Sequence, residues 1–565
     1  MASIFFALTS FQLWAYAYGW NDLFYLRRVT DTILDCMAKP KILISDNLDQ
    51  DGVDILNASG LFDVDYRKKT SREELEAVIG EVEGLIIRSA SKVDKALVEK
   101  AKNLKVVIRA GVGVDNIDIP ACSQKGIVVM NAPAGNSIST AEQAIAMMFA
   151  LARKLPQAHG SMKQKKWEKT KFQGSQLTGK TLGVIGLGRI GKEVVKRAKG
   201  LQMKVLGFDP YIPSENLTSL EIDLVPIDTI LKNADFITVH TPLTDATKGL
   251  VNEKNLSLLK PGVRLINCAR GGIYDEAAIA KGVKDGIIAG AGLDVFMEEP
   301  LPATSELYDH DDIILTPHLG ASTDEAQIEV AKESAESMVA YFKNGVARNS
   351  LNFPTIDPSS MDALAPWFAL CEQVGAFVGQ IMKNPIKDVE ISYRGEFTAL
   401  NLAPLEIALT KGLLSVAMGD EVNLVNAPIL AKERSLRITG RKDDKTEKES
   451  SVLKLTVYDE KERLSLKAAV GATGGIITEL NGNAIKLKPE GNLLYILNTD
   501  TPGVVGKLGT LLGEHHINIS SMELSRATKG GEARTFLGLD DEIPKALLET
   551  ILQKEFIVEA RFIKI

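Results

Sequence analysis

Short runs of β-branched and aliphatic residues recur along the chain, separated by stretches in which apolar residues return every three or four positions. Between residues 40 and 155 the runs are KILISD, GLIIRS, KVVIRAG and IVVMN, with SREELEAVIG and DKALVEKAKN among the stretches between them. Strands alternating with helices predict βαβ units on a parallel sheet. A long apolar helix follows, STAEQAIAMMFALARKL, with Ser139 or Thr140 as its expected N-cap and Glu142 in its first turn. The basic loop HGSMKQKKWEKTKFQG leads to a second series: TLGVIG, KVLGFD, FITVH, VRLINCA, AGAGLDVF and IILTPH. Residues up to about 340 thus predict an α/β fold of two Rossmann-like, doubly wound parallel-sheet lobes.

After residue 345 the pattern changes. NFPTIDPSS has the composition of a linker. Residues 352–487 mix helices (WFALCEQVGAFVGQIM, PLEIALTKGLLSVAM) with strands (DVEISYRG, VLKLTVYD), an α+β pattern. The charge run RKDDKTEKESS reads as an exposed hairpin or loop. Residues 491–565 run strand, helix, strand, strand, helix, strand, the ferredoxin-like βαββαβ order.

Composition narrows the function. Lys plus Arg number 66 and Asp plus Glu 73, giving a net charge of −7. A net negative chain argues against general nucleic-acid binding, which needs a basic face. The four cysteines are far apart with no C-x-x-C pair, which fits a reducing compartment such as the cytoplasm and excludes the common zinc patterns. No metal site is expected; His515 and His516 are the one close histidine pair, and adjacent residues on a helix point apart. Residues 1–36 are uncharged up to residue 20 and precede Met37, where a domain's opening strand begins. They read as an upstream extension, a membrane anchor or an organelle address.

Gly186, Gly188 and Gly191 form G-x-G-x-x-G between an apolar strand and a helix. The first glycine allows a tight turn, the second a close pyrophosphate, the third close helix–strand packing. Asp209 ends the next strand, where a carboxylate accepts hydrogen bonds from the ribose hydroxyls and repels a 2′-phosphate; the cofactor is expected to be NAD. Three more segments end at the rim of the same sheet: NCARGG with Arg270, GLDVFMEEP with Asp294 and Glu299, and LTPHLGAST with His318. Ligands bind beyond the carboxyl ends of such strands. Oxidising a 2-hydroxy acid needs a base for the hydroxyl proton, for which His318 is the candidate with Glu299 beside it. The substrate's carboxylate needs a planar, bidentate cation, for which Arg270 is the candidate. Arg88 and Arg109 end strands of the first lobe and are candidates to grip a phosphate, with Ser89 beside them. The loop cations Lys165, Lys166, Lys169 and Lys171 are further candidates, and the backbone at Gly111 and Val112 is one for the carboxylate.

RAGVGVDNID (109–118), GLGRIGKEV (186–194), NCARGGIYDE (267–276), LDVFMEEP (293–300) and PHLGAST (317–323) together resemble the D-2-hydroxyacid dehydrogenase superfamily. VNAPILAKERSL (425–436) and NTDTPGVVGKLGTLLGEHHINISSM further resemble the intervening and ACT domains of its long members. The resemblance implies a substrate lobe of residues 37–136 and 317–345, an NAD domain of 137–316, an intervening domain of 352–487 and an ACT domain of 491–565. It implies Arg270, Glu299 and His318 as the catalytic trio. NAD contacts carry over to Val112, Arg189, Ile190, Asp209, Thr241, Cys268, Ala269, Arg270, Asp294, His318, Leu319, Gly320 and Ala321. The long form implies oxidation of 3-phospho-D-glycerate to 3-phosphohydroxypyruvate in L-serine biosynthesis, with reduction of 2-oxoglutarate as a side activity. A glyoxylate or hydroxypyruvate reductase and a non-catalytic NAD-sensing scaffold are the rival readings.

The ACT resemblance also implies a homo-oligomer, dimer or tetramer. It places L-serine as effector at Asn498, Asp500 and Asn518, or else leaves the ACT domain to oligomer contacts alone. Some serine-inhibited relatives carry histidine at the place of Asn498 and asparagine at that of Asp500, so this chain departs from their pattern.

Overall fold

The structure is a computed structural model. It describes residues 39–565 except 213–214, 216–217, 219, 354–357, 396–397, 399, 444–450, 473 and 527. The N-terminal extension at 1–36 lies outside the described residues, as does most of the charge run after Asp443.

The first sheet comprises β1 (Lys41–Ile44), β2 (Asp63–Tyr66), β3 (Gly84–Ile87), β4 (Val106–Arg109) and β5 (Val128–Asn131), all parallel in the order β2-β1-β3-β4-β5. Every residue of β3 and β5 is buried, as befits a parallel sheet covered by helices on both faces. The chain then crosses by the helix Ser137–Arg153 to a second parallel sheet. This holds β6 (Thr181–Ile185), β7 (Lys204–Phe208), β8 (Asp223–Leu224), β9 (Phe236–Val239), β10 (Val263–Asn267), β11 (Ile288–Leu293) and β12 (Ile313–Leu315). Its order, β12-β11-β10-β9-β6-β7-β8, reverses direction at β6, so a crevice opens beyond the ends of β6 and β9.

The crossing helix corrects one expectation. It begins at Ser137 after Asn136, without a side-chain cap, so Ser139 and Thr140 lie inside it and are buried. Their hydroxyls are engaged elsewhere: Ser139 Oγ meets Thr323 Oγ1 at 2.7 Å and Thr140 Oγ1 donates to the Gly320 carbonyl at 3.2 Å. The first turn thus holds the loop that carries His318.

After β12 the helix Asp324–Asn344 returns to the first lobe. Thr323 caps it, Asp324 and Glu325 complement its positive end, and Gly345 at φ 69° closes it. Its Val330, Ala331, Ala335 and Met338 join the first lobe's core.

A third sheet holds β13 (Asp388–Arg394), β14 (Arg437–Lys442), β15 (Val452–Tyr458), β16 (Arg463–Gly471), β17 (Gly474–Leu480) and β18 (Asn483–Leu487). β14 pairs parallel to β13, which separates it from β15, so the charge run does not close a hairpin. The fourth sheet, β20-β21-β19-β22, is antiparallel: β19 (Asn492–Thr499), β20 (Ile519–Arg526), β21 (Glu532–Leu539) and β22 (Ile557–Lys564), with two helices in βαββαβ order. One face packs on its own helices and the other joins the core of the preceding domain, with the rings of Phe377 and Phe536 5.9 Å apart. That preceding domain is tied to the first lobe by Asn423 Nδ2, which donates to the Gly126 carbonyl at 2.9 Å. No helix among the described residues is long and apolar enough to cross a membrane.

Candidate active site

The glycine loop after β6 divides its three glycines by role. Gly186 has φ 91°, and a Cβ there would lie 2.4 Å from the His240 carbonyl oxygen. A Cβ on Gly191 would lie 2.0 Å from the Gly186 carbonyl oxygen, whereas Gly188 has nothing within 4 Å of that position. Gly188 is the N-cap of the helix Arg189–Gly200 and offers no side chain to its first N–H groups, which are therefore open to an anion. Asp209, at the end of β7, accepts the Leu187 and Tyr211 N–H groups at 2.9 Å each, which sets its carboxylate beside the loop.

His318 sits at φ 56°, a left-handed conformation uncommon for a residue with a Cβ. Asp294 sustains it. This carboxylate is fully buried and accepts Leu319 N–H at 2.7 Å, Gly320 N–H at 2.8 Å and the Thr316 hydroxyl at 2.5 Å. Its bonds are thus spent on the loop. Glu299 Oε2 lies 2.8 Å from His318 Nδ1, while Oε1 accepts Phe296 N–H at 3.0 Å. Holding Nδ1 as the protonated nitrogen leaves Nε2 as the basic one.

Arg270 follows β10 in a turn pinned by the buried Asn267, which donates to the Arg270 carbonyl at 2.8 Å and accepts Ala269 N–H at 3.0 Å. Facing it from the first lobe are Arg88 and Arg109. Arg88 Nη1 donates to the Asn47 carbonyl at 2.9 Å, and the buried Asp46 holds the Arg88 and Ser91 N–H groups at 2.5 and 3.2 Å. Burial, then repulsion from Arg270, pushes the Arg109 guanidinium down to about 10; burial also lowers that of Arg88. A cluster of half-desolvated cations is suited to a multiply charged anion.

A cleft of about 720 Å³ joins these groups. Arg88, Ser89, Arg109, Gly111 and Val112 line it from one lobe, and Gly188, Arg189, Ile190, Thr241, Cys268, Ala269, Arg270, Glu299, His318, Gly320 and Ala321 from the other. Gly186, Gly191, Asp209, Asp294 and Leu319 stand behind or beside the lining. Lys165, Lys166, Lys169 and Lys171 do not line the cleft of their own chain; Lys171 instead pairs with Glu168 at 2.5 Å.

Sequence reasoning missed Asn136, His240 and Asp115, all in the lining. Asn136 Oδ1, His240 Nδ1 and Thr241 Oγ1 are buried without a hydrogen-bond partner among the described residues. Burial pushes the His240 imidazole down to about 4. Orphaned polar atoms are rare in folded proteins, and together with the open glycine loop they fit a polar dinucleotide in this cleft. No group of three or more His, Cys, Asp or Glu that could hold a metal occurs among the described residues.

Comparison with known proteins decides the family. Residues 145–320 match the NAD-binding domain of D-isomer specific 2-hydroxyacid dehydrogenases, 363–477 the D-3-phosphoglycerate dehydrogenase intervening domain, and 493–556 the ACT domain. The chain is 41% identical to D-3-phosphoglycerate dehydrogenase of Synechocystis sp. over 93% of its own length and 95% of that protein. The chain belongs to the D-3-phosphoglycerate dehydrogenase family. The corresponding protein of Methanocaldococcus jannaschii is also 41% identical, over 90% of this chain and 97% of its own. Among solved structures, D-lactate dehydrogenase from Aquifex aeolicus, complexed with NAD and lactic acid, superposes with a TM-score of 0.50 at 28% identity. It covers 56% of this chain and all of that one. This chain thus shares little more than half its length with that shorter enzyme, and carries the intervening and ACT domains in addition to its 2-hydroxyacid dehydrogenase part.

In the ACT domain the three expected effector residues are not brought together. Asn498 is buried, with Nδ2 on the Thr499 carbonyl at 2.9 Å. Asp500 accepts Arg526 at 2.5 Å and Gly530 N–H at 3.0 Å, and these partners hold its carboxyl below the usual range. Asn518 bonds Asp540 at 2.7 Å. By register, Ile519 stands at the level of Asn492, so Asn518, just before it, lies at the opposite end of the sheet from Asn498.

Proposed function

We propose that this chain oxidises 3-phospho-D-glycerate to 3-phosphohydroxypyruvate with NAD, the first step of L-serine biosynthesis. The observation that carries the reading is Glu299 on His318 Nδ1 at 2.8 Å, beside Arg270 and across the cleft from Arg88 and Arg109. His318 Nε2 takes the C2 hydroxyl proton and Glu299 stabilises the imidazolium that forms. Arg270 and the Gly111–Val112 backbone orient the C1 carboxylate, and Arg88, Ser89 and Arg109 hold the phosphate. The Gly188–Gly191 turn, Thr241, Cys268, Ala269 and the Gly320–Ala321 loop would hold NAD, with Asp209 at the adenosine ribose. When bound, NAD supplies the hydride acceptor.

The full chain should reduce NAD with 3-phosphoglycerate far better than with glycerate, lactate or glycolate, and reduce 2-oxoglutarate only slowly. A preference for an unphosphorylated acid overturns the substrate. The reading extends to a cytoplasmic homo-oligomer. Cys122, Cys268 and Cys371 are free and buried, which supports a reducing compartment. Because Asn498 and Asn518 stand at opposite ends of one sheet, an L-serine site joining them needs a second ACT domain. Serine titrations of rate and of sedimentation at several protein concentrations test this; no response of the rate rejects the effector.

A further inference from the structure

Arg270 belongs to the second lobe, yet its Nε donates to Asp115 Oδ2 of the first lobe at 2.9 Å. Its Nη1 donates to the Ala269 carbonyl at 2.6 Å. Of the five N–H groups of a guanidinium, three are left for a ligand: the second on Nη1 and both on Nη2. Nη2 lies against Gly113, where a Cβ would stand 1.6 Å away, so a side chain at that place would collide with it.

Asp115 is itself on a firm frame. Its neighbour Asn116 donates to the Arg88 and Ser91 carbonyls at 2.7 and 2.6 Å. Asn131 donates to the Val112 carbonyl at 2.7 Å. One loop, 110–116, therefore follows Arg109 at the end of β4, grips the backbone at Arg88 and reaches across to Arg270. Asp115 is three-quarters exposed, and an exposed ion pair contributes little to stability. Its value lies in direction: it fixes the rotation of a long side chain whose free end must meet a carboxylate squarely.

We propose that Asp115 is a positioning residue for Arg270, anchoring the carboxylate-binding guanidinium from the opposite lobe so that it is aimed only when the cleft is closed. This rests on the reading of Arg270 as the group that binds the substrate's carboxylate.

The test uses the full chain as Asp115→Ala and Asp115→Asn, with kcat and KM read separately on 3-phosphoglycerate, and with NAD affinity and thermal midpoint as controls. Asp115→Ala should raise the hydroxy-acid KM about tenfold, the scale of one hydrogen bond to a charged group, with NAD affinity and the thermal midpoint near wild type. Asp115→Asn keeps an oxygen that accepts from Nε and should recover most of the loss. An unchanged KM in Asp115→Ala overturns the proposal. So does a lowered KM, which would make Asp115 a competitor for the substrate's place, and so does an equal loss in both variants. If the wild type prefers another 2-hydroxy acid, the phosphoglycerate reading fails, but the same KM comparison on that acid still judges Asp115, because all such acids carry the C1 carboxylate.

Discussion

Glu299 holds His318 by Nδ1 at 2.8 Å with one carboxylate oxygen while the other accepts the Phe296 N–H at 3.0 Å. Both partners donate, so both positions need an acceptor. A glutamine has one acceptor oxygen and one donor amide, and can satisfy only one of the two. Glu299→Gln should therefore lower kcat about 10- to 100-fold, by misdirecting the imidazole or loosening the turn. His318→Ala removes the base and should lose about 10²- to 10⁴-fold. NADH formation under saturating NAD checks both; wild-type turnover in either variant would exclude His318 as the base held by Glu299.

The glycine loop separates folding from binding. Gly191→Ala drives a methyl to within 2.0 Å of a backbone oxygen, a clash the helix can relieve only by moving. Its thermal midpoint should fall by several degrees. Gly188 has φ −66° and open space around it, so Gly188→Ala should melt as wild type does, yet weaken NAD about tenfold or more because the methyl stands where the pyrophosphate must approach. Melting curves paired with NAD titrations decide the matter, and equal NAD affinity in Gly188→Ala would remove the pyrophosphate from this turn.

The strands and their motifs were legible because parallel strands are buried on both faces and so read as uninterrupted apolar runs: GLII and VVMN are wholly buried in β3 and β5. The trio Arg270, Glu299 and His318 was legible because each stands a few residues beyond such a run. What escaped was whatever depends on a partner distant in sequence. Ser139 and Thr140 look like caps until the loop around Gly320 is folded against them. Asp115 looks like a loop acid until the second lobe brings Arg270 to it. Asp294 was expected to face the cofactor, and its three bonds to the His318 loop emerge only once β11 and β12 lie side by side.

That bracing makes Asp294 a sensitive position. Three donors converge on one fully buried carboxylate, and removing an acceptor there leaves them unpaired. Asp294→Ala should destabilise the second lobe by about 3 kcal/mol or more. Turnover should fall with it, since His318 keeps its left-handed backbone only while the loop is held. Thr316→Val removes one of the three donors along with its bond and should be far milder. Calorimetry on the two variants tests the ranking, which fails if Asp294→Ala melts with the wild type.

The arginine cluster gives the alkaline behaviour a definite sign. Burial comes first, and repulsion from Arg270 second, in pushing Arg109 down to about 10, while Asp115 pulls the other way. The guanidinium is a cation below that pH and loses its charge as the pH rises through it. Because kcat/KM reports groups of the free enzyme, kcat/KM for 3-phosphoglycerate should decline as the pH passes about 10. The decline should be shallower for glycerate, which has no phosphate for Arg109 to hold. At saturating substrate the bound dianion favours the charged guanidinium, so kcat should hold to higher pH than kcat/KM. Arg109→Ala should start lower at pH 8 and show no separate limb near 10. A limb that persists unchanged in Arg109→Ala assigns it to another group and takes Arg109 out of the phosphate site.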